Sequence, residues 1–450
     1  MGVTRDIVSF VLSTQFTDFP YEVIRESKLC LLDWIGVGIA GSREPGTEIL
    51  LKVFSNKGNK SIFGHKRKTD MFVASLVNGA ASHILDYDDV NMAFQGHLSV
   101  VLFPAILAAS EGEEFSGRDI LTAFIVGYEV AVRISLAATI NHYKIGWHTT
   151  STIGHFASVI ASGKLLGLNE KQLLNAMGIA GTQACGTQQS FGTMCKSFHA
   201  GNAARNGLFA AVLAKEGFTG SINFIEGDKG FLKIFTKCTY HKEVSKNMKN
   251  KWYILQNQYK IYPSCFQTHA SIKSTQKIME DSHIKYGDIK LIKIWVNPIT
   301  SKVASNLKPK TGTEAKFSIE YCVSNILLKN QVTEKIFLKS RIEDRTISEI
   351  MEKILIVPSE LYDLDEALVS VELFDGRIFK EQVKMSEIEI DYNEKRKNIE
   401  RKFLSITLPI ISLEKAKKIV EIVEKVPIKV YFFYYHHVLE RLKAYNLLER

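Results

Sequence analysis

The chain has 450 residues, of which 46% are hydrophobic and 23% charged. That is enough for a large core and two domains, and it excludes wholesale disorder. The formal charge of +9 raises the question of nucleic acid. However, the lysines are spread along the chain and no block pairs basic residues with stacking aromatics, so no nucleic-acid partner is expected. A bias toward anionic small molecules, over solvated lysine faces, accounts for the balance.

The first expected helix starts at Asp18-Phe19-Pro20 and runs through Ile24, Leu31 and Ile35 into Gly36-Val37-Gly38-Ile39-Ala40-Gly41. The last six residues match G-x-G-x-x-G, but a dinucleotide fingerprint needs a strand before it and a helix after it. Here a helix precedes and Pro45-Gly46 breaks the chain, so the glycines are read as close helix packing. A second apolar helix from about Met71 carries Phe72, Leu76, Ala80 and Ile84 and ends in Asp86, Asp88 and Asp89. Carboxylates at a helix C-terminus face the negative end of its dipole, which marks them as kept for use. Gly96-His97 follows before the next apolar run, so one short connection carries both acid and imidazole.

Helical periodicity continues through Ala105–Glu111, Ile120–Ala138, Phe156–Leu166, Glu170–Thr182 and Ala203–Leu213, with ends at Gly167-Leu168-Asn169 and Glu216-Gly217. The most apolar stretch, Ile120 to Ile140, contains Glu129 and Arg133. It is read as a buried core helix, and no membrane partner is expected. Six scattered cysteines without a CxxC pair argue against a zinc site or disulfide framework. They point, with no leader-like N-terminal pattern, to a reducing, cytoplasmic setting.

Residues 1 to about 255 thus read as all-α. Beyond Lys260 the character changes: Ile289–Val296 alternates like a strand, and Ala367–Phe374, Asp375-Gly376 and Arg377–Lys380 read as a hairpin with a type I′ turn. Helices are expected at Ser318–Leu328 and Thr346–Ile354, and again from Leu413 to the end. The closing stretch Tyr431 to Tyr435 with His436 and His437 is aromatic. Its adjacent histidines point to different sides of a helix, so they do not make a metal site.

Four more stretches place polar residues where helix packing would not ask for them. They are Gly146-Trp147-His148-Thr149-Thr150; Lys196 to Arg205 with His199; Lys260-Ile261-Tyr262-Pro263 with His269; and Phe317-Ser318 with Tyr321. Singly, each is usually a locally satisfied side chain. Together, lysines, histidines, a carboxylate and a tyrosine suit proton transfer beside a carboxylate: cations hold the substrate and the developing enolate-like charge, and His, Asp and Tyr move protons. No metal-ligand spacing, phosphate loop or nucleophile elbow competes with that set.

In these stretches the sequence resembles the MmgE/PrpD family, which includes 2-methylcitrate dehydratase, cis-aconitate decarboxylase and iminodisuccinate epimerase. The resemblance rests on Leu32-Asp33 with Gly36 and Ala40-Gly41, His83-Ile84-Leu85-Asp86-Tyr87-Asp88-Asp89, and Gly96-His97 with Pro104. It continues through Gly146-Trp147-His148-x-Thr150, Lys196-x-x-His199-x-Gly201, Lys260-x-Tyr262-Pro263 with His269, and Phe317-Ser318 with Tyr321. It implies a mostly α fold: a large helical domain built from both chain ends (1–258 and 396–450) with an inserted α+β lid domain (259–395). It further implies a homodimer, no metal or organic cofactor, and a small di- or tricarboxylate substrate held between the domains. Carried over, Asp86, His97, His148, Lys196, Lys260 and Tyr321 line the site. Lys196, Lys260, His199 and His269 would hold the substrate, and His97, with His148 or Asp86 as partner, would exchange its proton. Tyr321 and Lys196 would join the catalytic set. The expected reaction is elimination of water from a 2-methylcitrate-like substrate, with decarboxylation or epimerisation as alternatives on the same scaffold, and binding without turnover as the non-enzyme alternative. Two positions depart from the family: Val90 stands where the decarboxylase branch has threonine, and Leu98 where a proline commonly follows the histidine.

Overall fold

The computed structural model describes residues 2–54, 57–236, 242–245, 248–282, 284–329 and 331–426. Cys238 and the segment Tyr431–Tyr435 with His436 and His437 lie outside these residues. The chain divides into two compact units. One is Met1–Ser190 and Cys195–Tyr259 with the chain from Asn393 on, and the other is Phe191–Met194 and Lys260–Tyr392.

The described helices of the first unit include α1 (Val3–Ser13), α2 (Tyr21–Gly41), α3 (Pro45–Val53), α4 (Met71–His83), α5 (Ser99–Ser110), α6 (Gly117–Ile145), the single turn α7 (Thr149–Thr152), α8 (Gly154–Leu165), α9 (Glu170–Gly181) and α10 (Met194–Lys215). Helices Tyr392–Thr407 and Leu413–Lys425 follow late in the chain. All twelve residues of α5 are buried, which is why its sequence reads apolar all round. The helix α6 is long and apolar enough to cross a membrane, but 94% of its apolar window is buried inside the unit; it is the core helix expected from Glu129 and Arg133. It breaks at Thr139, whose φ of 58° is non-helical.

The G-x-G-x-x-G run lies wholly inside α2, as the helix-packing reading requires. At Gly41 a Cβ would sit 2.0 Å from the Ala81 carbonyl oxygen, so only glycine lets α2 approach α4 there. Two small antiparallel pieces interrupt the expected all-α pattern: β1 (Lys60–Ile62) with β2 (His65–Thr69), and β3 (Val90–Asn91) with β4 (Asn257–Gln258).

The second unit holds a sheet of order β6-β5-β7-β8, from β5 (Ile289–Val296), β6 (Ile354–Pro358), β7 (Glu366–Leu373) and β8 (Ile378–Lys384). The alternation of β5 is as expected, with Ile292, Ile294 and Val296 facing a core shared with Val369 and Val371. Three differences from the sequence reading have plain causes. First, β6 pairs in parallel with β5, starting at Ile354, the last residue of the expected helix, and continuing through residues given no element; Ile354–Val357 is a short apolar run whose periodicity does not separate helix from strand. Second, the hairpin turn is not type I′. Gly376 has φ of 90° while Asp375 is not among the positive-φ residues; the Gly376 amide donates to Leu373 O and the Leu373 amide to Arg377 O, the pattern of a three-residue loop with an αL glycine. Third, α10 already begins at Met194, so Lys196 and His199 sit on a helix rather than on the loop leading into one.

Candidate active site

The side chain of Asp70 caps α4 by accepting the amides of Phe72 and Val73 at 2.9 and 3.0 Å. The helix ends at His83, and the chain turns through Asp86, which takes the left-handed conformation with φ of 52°. A non-glycine residue held there is strained, and Asp is among the types that tolerate it best. This turn sends Asp86 and Asp88 to different partners.

Asp86 meets α10. Gly79 of α4 and Gly201 of α10 face each other so closely that a Cβ on Gly201 would lie 2.1 Å from the Leu76 carbonyl oxygen. The crossing brings Lys196 Nζ to 2.7 Å from Asp86 Oδ1, with both side chains at least nine-tenths buried. The same crossing places His199 beside His148, Nδ1 to Nδ1 at 3.1 Å. In such a contact one ring nitrogen donates and the other accepts, so at least one of the two imidazoles is neutral.

Asp88 meets two histidines. Its carboxylate accepts from His83 Nδ1 at 3.0 Å from either oxygen, and Oδ2 lies 2.9 Å from His97 Nδ1. His97 Nδ1 also reaches the Asp89 carbonyl oxygen at 2.8 Å, and its main-chain amide donates to Thr150 Oγ1 at 3.0 Å. With its Nδ1 proton committed to Asp88 and Asp89, the His97 ring presents Nε2 as the nitrogen that can exchange a proton. Behind this pair, Ser99 Oγ and Asn257 Nδ2 donate to Asp89 Oδ2 at 2.6 and 2.8 Å. Lys402 pairs with Asp33 at 2.7 Å, donates to the Tyr87 carbonyl and lies over the Tyr87 ring, so a late helix braces the acidic loop.

Burial sets the charge states. It pushes His83 down to about 4 against the pull of Asp88. Burial, then Lys196, lowers His199 to about 4, and burial, then His199 and Lys196, holds His148 well below its ordinary value. Burial alone would raise Asp88, but His83 and His97 together outweigh it and keep the carboxyl well below the usual range. Asp89 moves the other way, to about 7, through burial and then the neighbouring Asp33. The result is an ionised Asp88 beside a neutral His83, with His148 and His199 neutral as well.

A pH effect follows. An unfolded imidazole takes up its proton near pH 6.5, whereas folded His199 resists until about 4. Its contribution to stability is therefore present above the unfolded value and lost as pH falls toward the folded one. His199→Gln keeps a hydrogen-bonding group beside His148 and cannot protonate. Its thermal midpoint is expected to fall less steeply than that of the unaltered chain between about pH 7 and pH 5, as measured by a circular-dichroism melting series.

Of the residues singled out in the sequence, Asp86, His97, His148, Lys196 and His199 come together in the first unit. Lys260, His269 and Tyr321 belong to the second. There Lys260 is buried, and His269 packs edge-on against Tyr262, with ring centroids 5.1 Å apart. The Tyr321 hydroxyl donates to the Ile336 carbonyl inside an apolar cluster with Phe337, and burial pushes it up to about 12. Ser318 likewise caps a helix by accepting the Tyr321 amide at 3.0 Å. His83 and Asp88 escaped the sequence-derived set of acting residues, although both stand in the motif quoted for the resemblance. The signal was present in three carboxylates after one helix, but which of them faces His97 depends on the left-handed turn at Asp86. His83, Asp88 and His97 are also the described group whose ligand atoms, all within 4.8 Å, could hold a metal ion; here the two Nδ1 atoms are engaged by Asp88 itself.

A mostly helical chain carrying a buried Lys–Asp pair beside a carboxylate-oriented imidazole has the make-up of an acid–base site for anions. The sequence comparisons agree with the class. Residues 5–243 match the MmgE/PrpD N-terminal domain and residues 262–427 the MmgE/PrpD C-terminal domain; the chain belongs to the MmgE/PrpD family. Its relatives include the cis-aconitate decarboxylase-like protein oryM of Aspergillus oryzae, 28% identical over 85% of this chain and 86% of that protein. A cis-aconitate decarboxylase of Aspergillus terreus is 32% identical over 62% of this chain and 60% of its own length. The human cis-aconitate decarboxylase is 26% identical over 94% of this chain and 91% of that protein.

Proposed function

We infer that this chain is a lyase that decarboxylates a small tricarboxylate of the cis-aconitate type. The observation that carries the reading is the pairing, across one turn, of Lys196–Asp86 with Asp88–His97: a cation for a substrate carboxylate beside an imidazole whose free nitrogen is fixed. The names of the relatives favour decarboxylation over the dehydration of a 2-methylcitrate-like substrate, the first expectation from the sequence. In the proposed step the bond from carbon to the departing carboxylate breaks and CO₂ leaves. Its electron pair shifts through the neighbouring double bond toward a retained carboxylate held by Lys196. The carbanionic carbon then takes a proton from His97 Nε2, and solvent restores that proton. Ionised Asp88 stabilises the imidazolium before transfer and holds the tautomer after it.

The test is proton NMR in D₂O with cis-aconitate, citrate, 2-methylcitrate and iminodisuccinate. Consumption of cis-aconitate with one deuterium entering the product at carbon is expected, together with a loss of at least about 10²-fold in His97→Ala. Full turnover in His97→Ala would overturn the mechanism. Dehydration of 2-methylcitrate with cis-aconitate left untouched would overturn the assignment and restore the dehydratase.

A further inference from the structure

We propose that His83 is a positioning residue of the reaction, donating from Nδ1 to Asp88 and thereby fixing the face that this carboxylate turns to His97. The proposal rests on the decarboxylase reading for its kinetic consequence, but not for its geometry.

A carboxylate that orients a catalytic imidazole must itself be oriented, because a free carboxyl rotates and takes up a proton when buried. Asp88 is fully buried, and among the described residues the side-chain donors placed on it are the two histidines. His83 Nδ1 meets both oxygens at 3.0 Å, while His97 Nδ1 lies 2.9 Å from Oδ2 and is also met by the Asp89 carbonyl oxygen at 2.8 Å. His83 therefore sets the plane of the carboxylate and His97 takes one corner of it. The His83 ring is itself wedged, 4.8 Å from the His97 ring and stacked on His148 at 6.1 Å with a 17° interplanar angle. Its other nitrogen, Nε2, is buried with no hydrogen-bond partner among the described residues. A neutral ring with its one proton on Nδ1 is the state that satisfies this environment, since a proton on Nε2 would be a buried donor without an acceptor and would take the bond from Asp88. Burial, which holds the ring neutral, agrees with that assignment.

Two substitutions separate this role from others. An asparagine amide places an N–H close to where Nδ1 of histidine stands, so His83→Asn keeps the donor to Asp88 and discards Nε2. His83→Phe keeps a ring of similar size and discards both nitrogens. The experiment is long-range ¹⁵N–¹H NMR of the histidine rings in the full-length protein without substrate, with turnover of cis-aconitate measured alongside. In the unaltered chain both His83 and His97 are expected as Nδ1–H tautomers. His97 is expected to keep that tautomer in His83→Asn, with turnover within about tenfold of the starting enzyme. In His83→Phe the His97 Nδ1–H, still met by the Asp89 carbonyl, is expected to shift in its ring ¹⁵N and ¹H resonances as Asp88 turns, and turnover to fall on the order of 10²-fold.

A His83 ring protonated on Nε2 in the unaltered chain would overturn the proposal without any variant having to fold. So would an Asn variant as impaired as the Phe variant, since the second nitrogen would then be doing the work, or a Phe variant with His97 unchanged. The expected tautomers without turnover of cis-aconitate would instead count against the decarboxylase reading and leave the positioning role supported.

Discussion

Asp88→Asn is expected to lower turnover by about 10³–10⁴-fold, the scale seen where a carboxylate that orients a catalytic imidazole is replaced by its amide, while the chain still folds. The substitution is nearly isosteric and removes a buried charge, so the packing of the acidic loop need not change. What changes is the hydrogen-bond inventory. The carboxylate accepts from His83 Nδ1 through both oxygens, and its Oδ2 also lies 2.9 Å from His97 Nδ1. An amide offers one acceptor oxygen and one donor nitrogen. If the oxygen takes the Oδ2 place, the nitrogen faces His83 at a distance where a donor meets a donor, and His83 must change tautomer. If the nitrogen takes that place, it confronts the His97 Nδ1–H that also meets the Asp89 carbonyl oxygen, and the ring must turn away or move its proton to Nε2. In either orientation the negative charge that would stabilise an imidazolium is gone. The measurement is steady-state turnover of cis-aconitate with a thermal melt as the folding control. A variant that folds normally and keeps turnover within about tenfold would mean that His97 is not the proton carrier, or that it needs no carboxylate to act.

The parts of this molecule that were legible in the sequence share a cause: they are visible in residue type and spacing alone. The helix from Met71 shows in its period of apolar residues and the strand Ile289–Val296 in its alternation. Lys196, His148 and His97 stand out because helix packing gives no reason for them. What was not legible depends on backbone conformation or on distant neighbours. The left-handed φ of Asp86 sends that carboxylate to Lys196 and leaves Asp88, two residues on, for the histidines. The hairpin at Gly376 has an Asp-Gly pair that fits a type I′ turn, yet its flanking register makes the longer loop. The partner of the Tyr321 hydroxyl was hidden too, since nothing in the local sequence names the Ile336 carbonyl fifteen residues later as its acceptor. Lys402 shows the same limit at greater range: a lysine in an exposed-looking amphipathic helix meets Asp33 across nearly the whole chain.

The second large effect is expected at Lys196, where stability and activity must be pulled apart. Lys196→Met strips the cation from Asp86 in a place where both side chains are almost wholly buried. Removing one partner of such a pair costs about 3–5 kcal/mol, because the remaining charge must stay desolvated or take up a proton. A large drop in thermal midpoint is therefore expected, and a loss of activity in the single variant would not by itself reveal a role in binding. The double variant Lys196→Met/Asp86→Leu resolves this, since replacing both partners by apolar groups of similar size is often close to neutral. It is expected to recover most of the lost midpoint, as coupled contacting residues do in a double-mutant cycle. Turnover of cis-aconitate is expected to stay down by about 10²–10³-fold, because the cation that would hold the substrate carboxylate is still missing and truncating a buried charge-paired hydrogen bond costs about 2–5 kcal/mol. Recovery of turnover together with stability would place Lys196 in the scaffold and move substrate binding to other cations. Recovery of stability alone is the result that assigns the lysine to the substrate and leaves Asp86 as the counter-charge that keeps it in place before the substrate arrives.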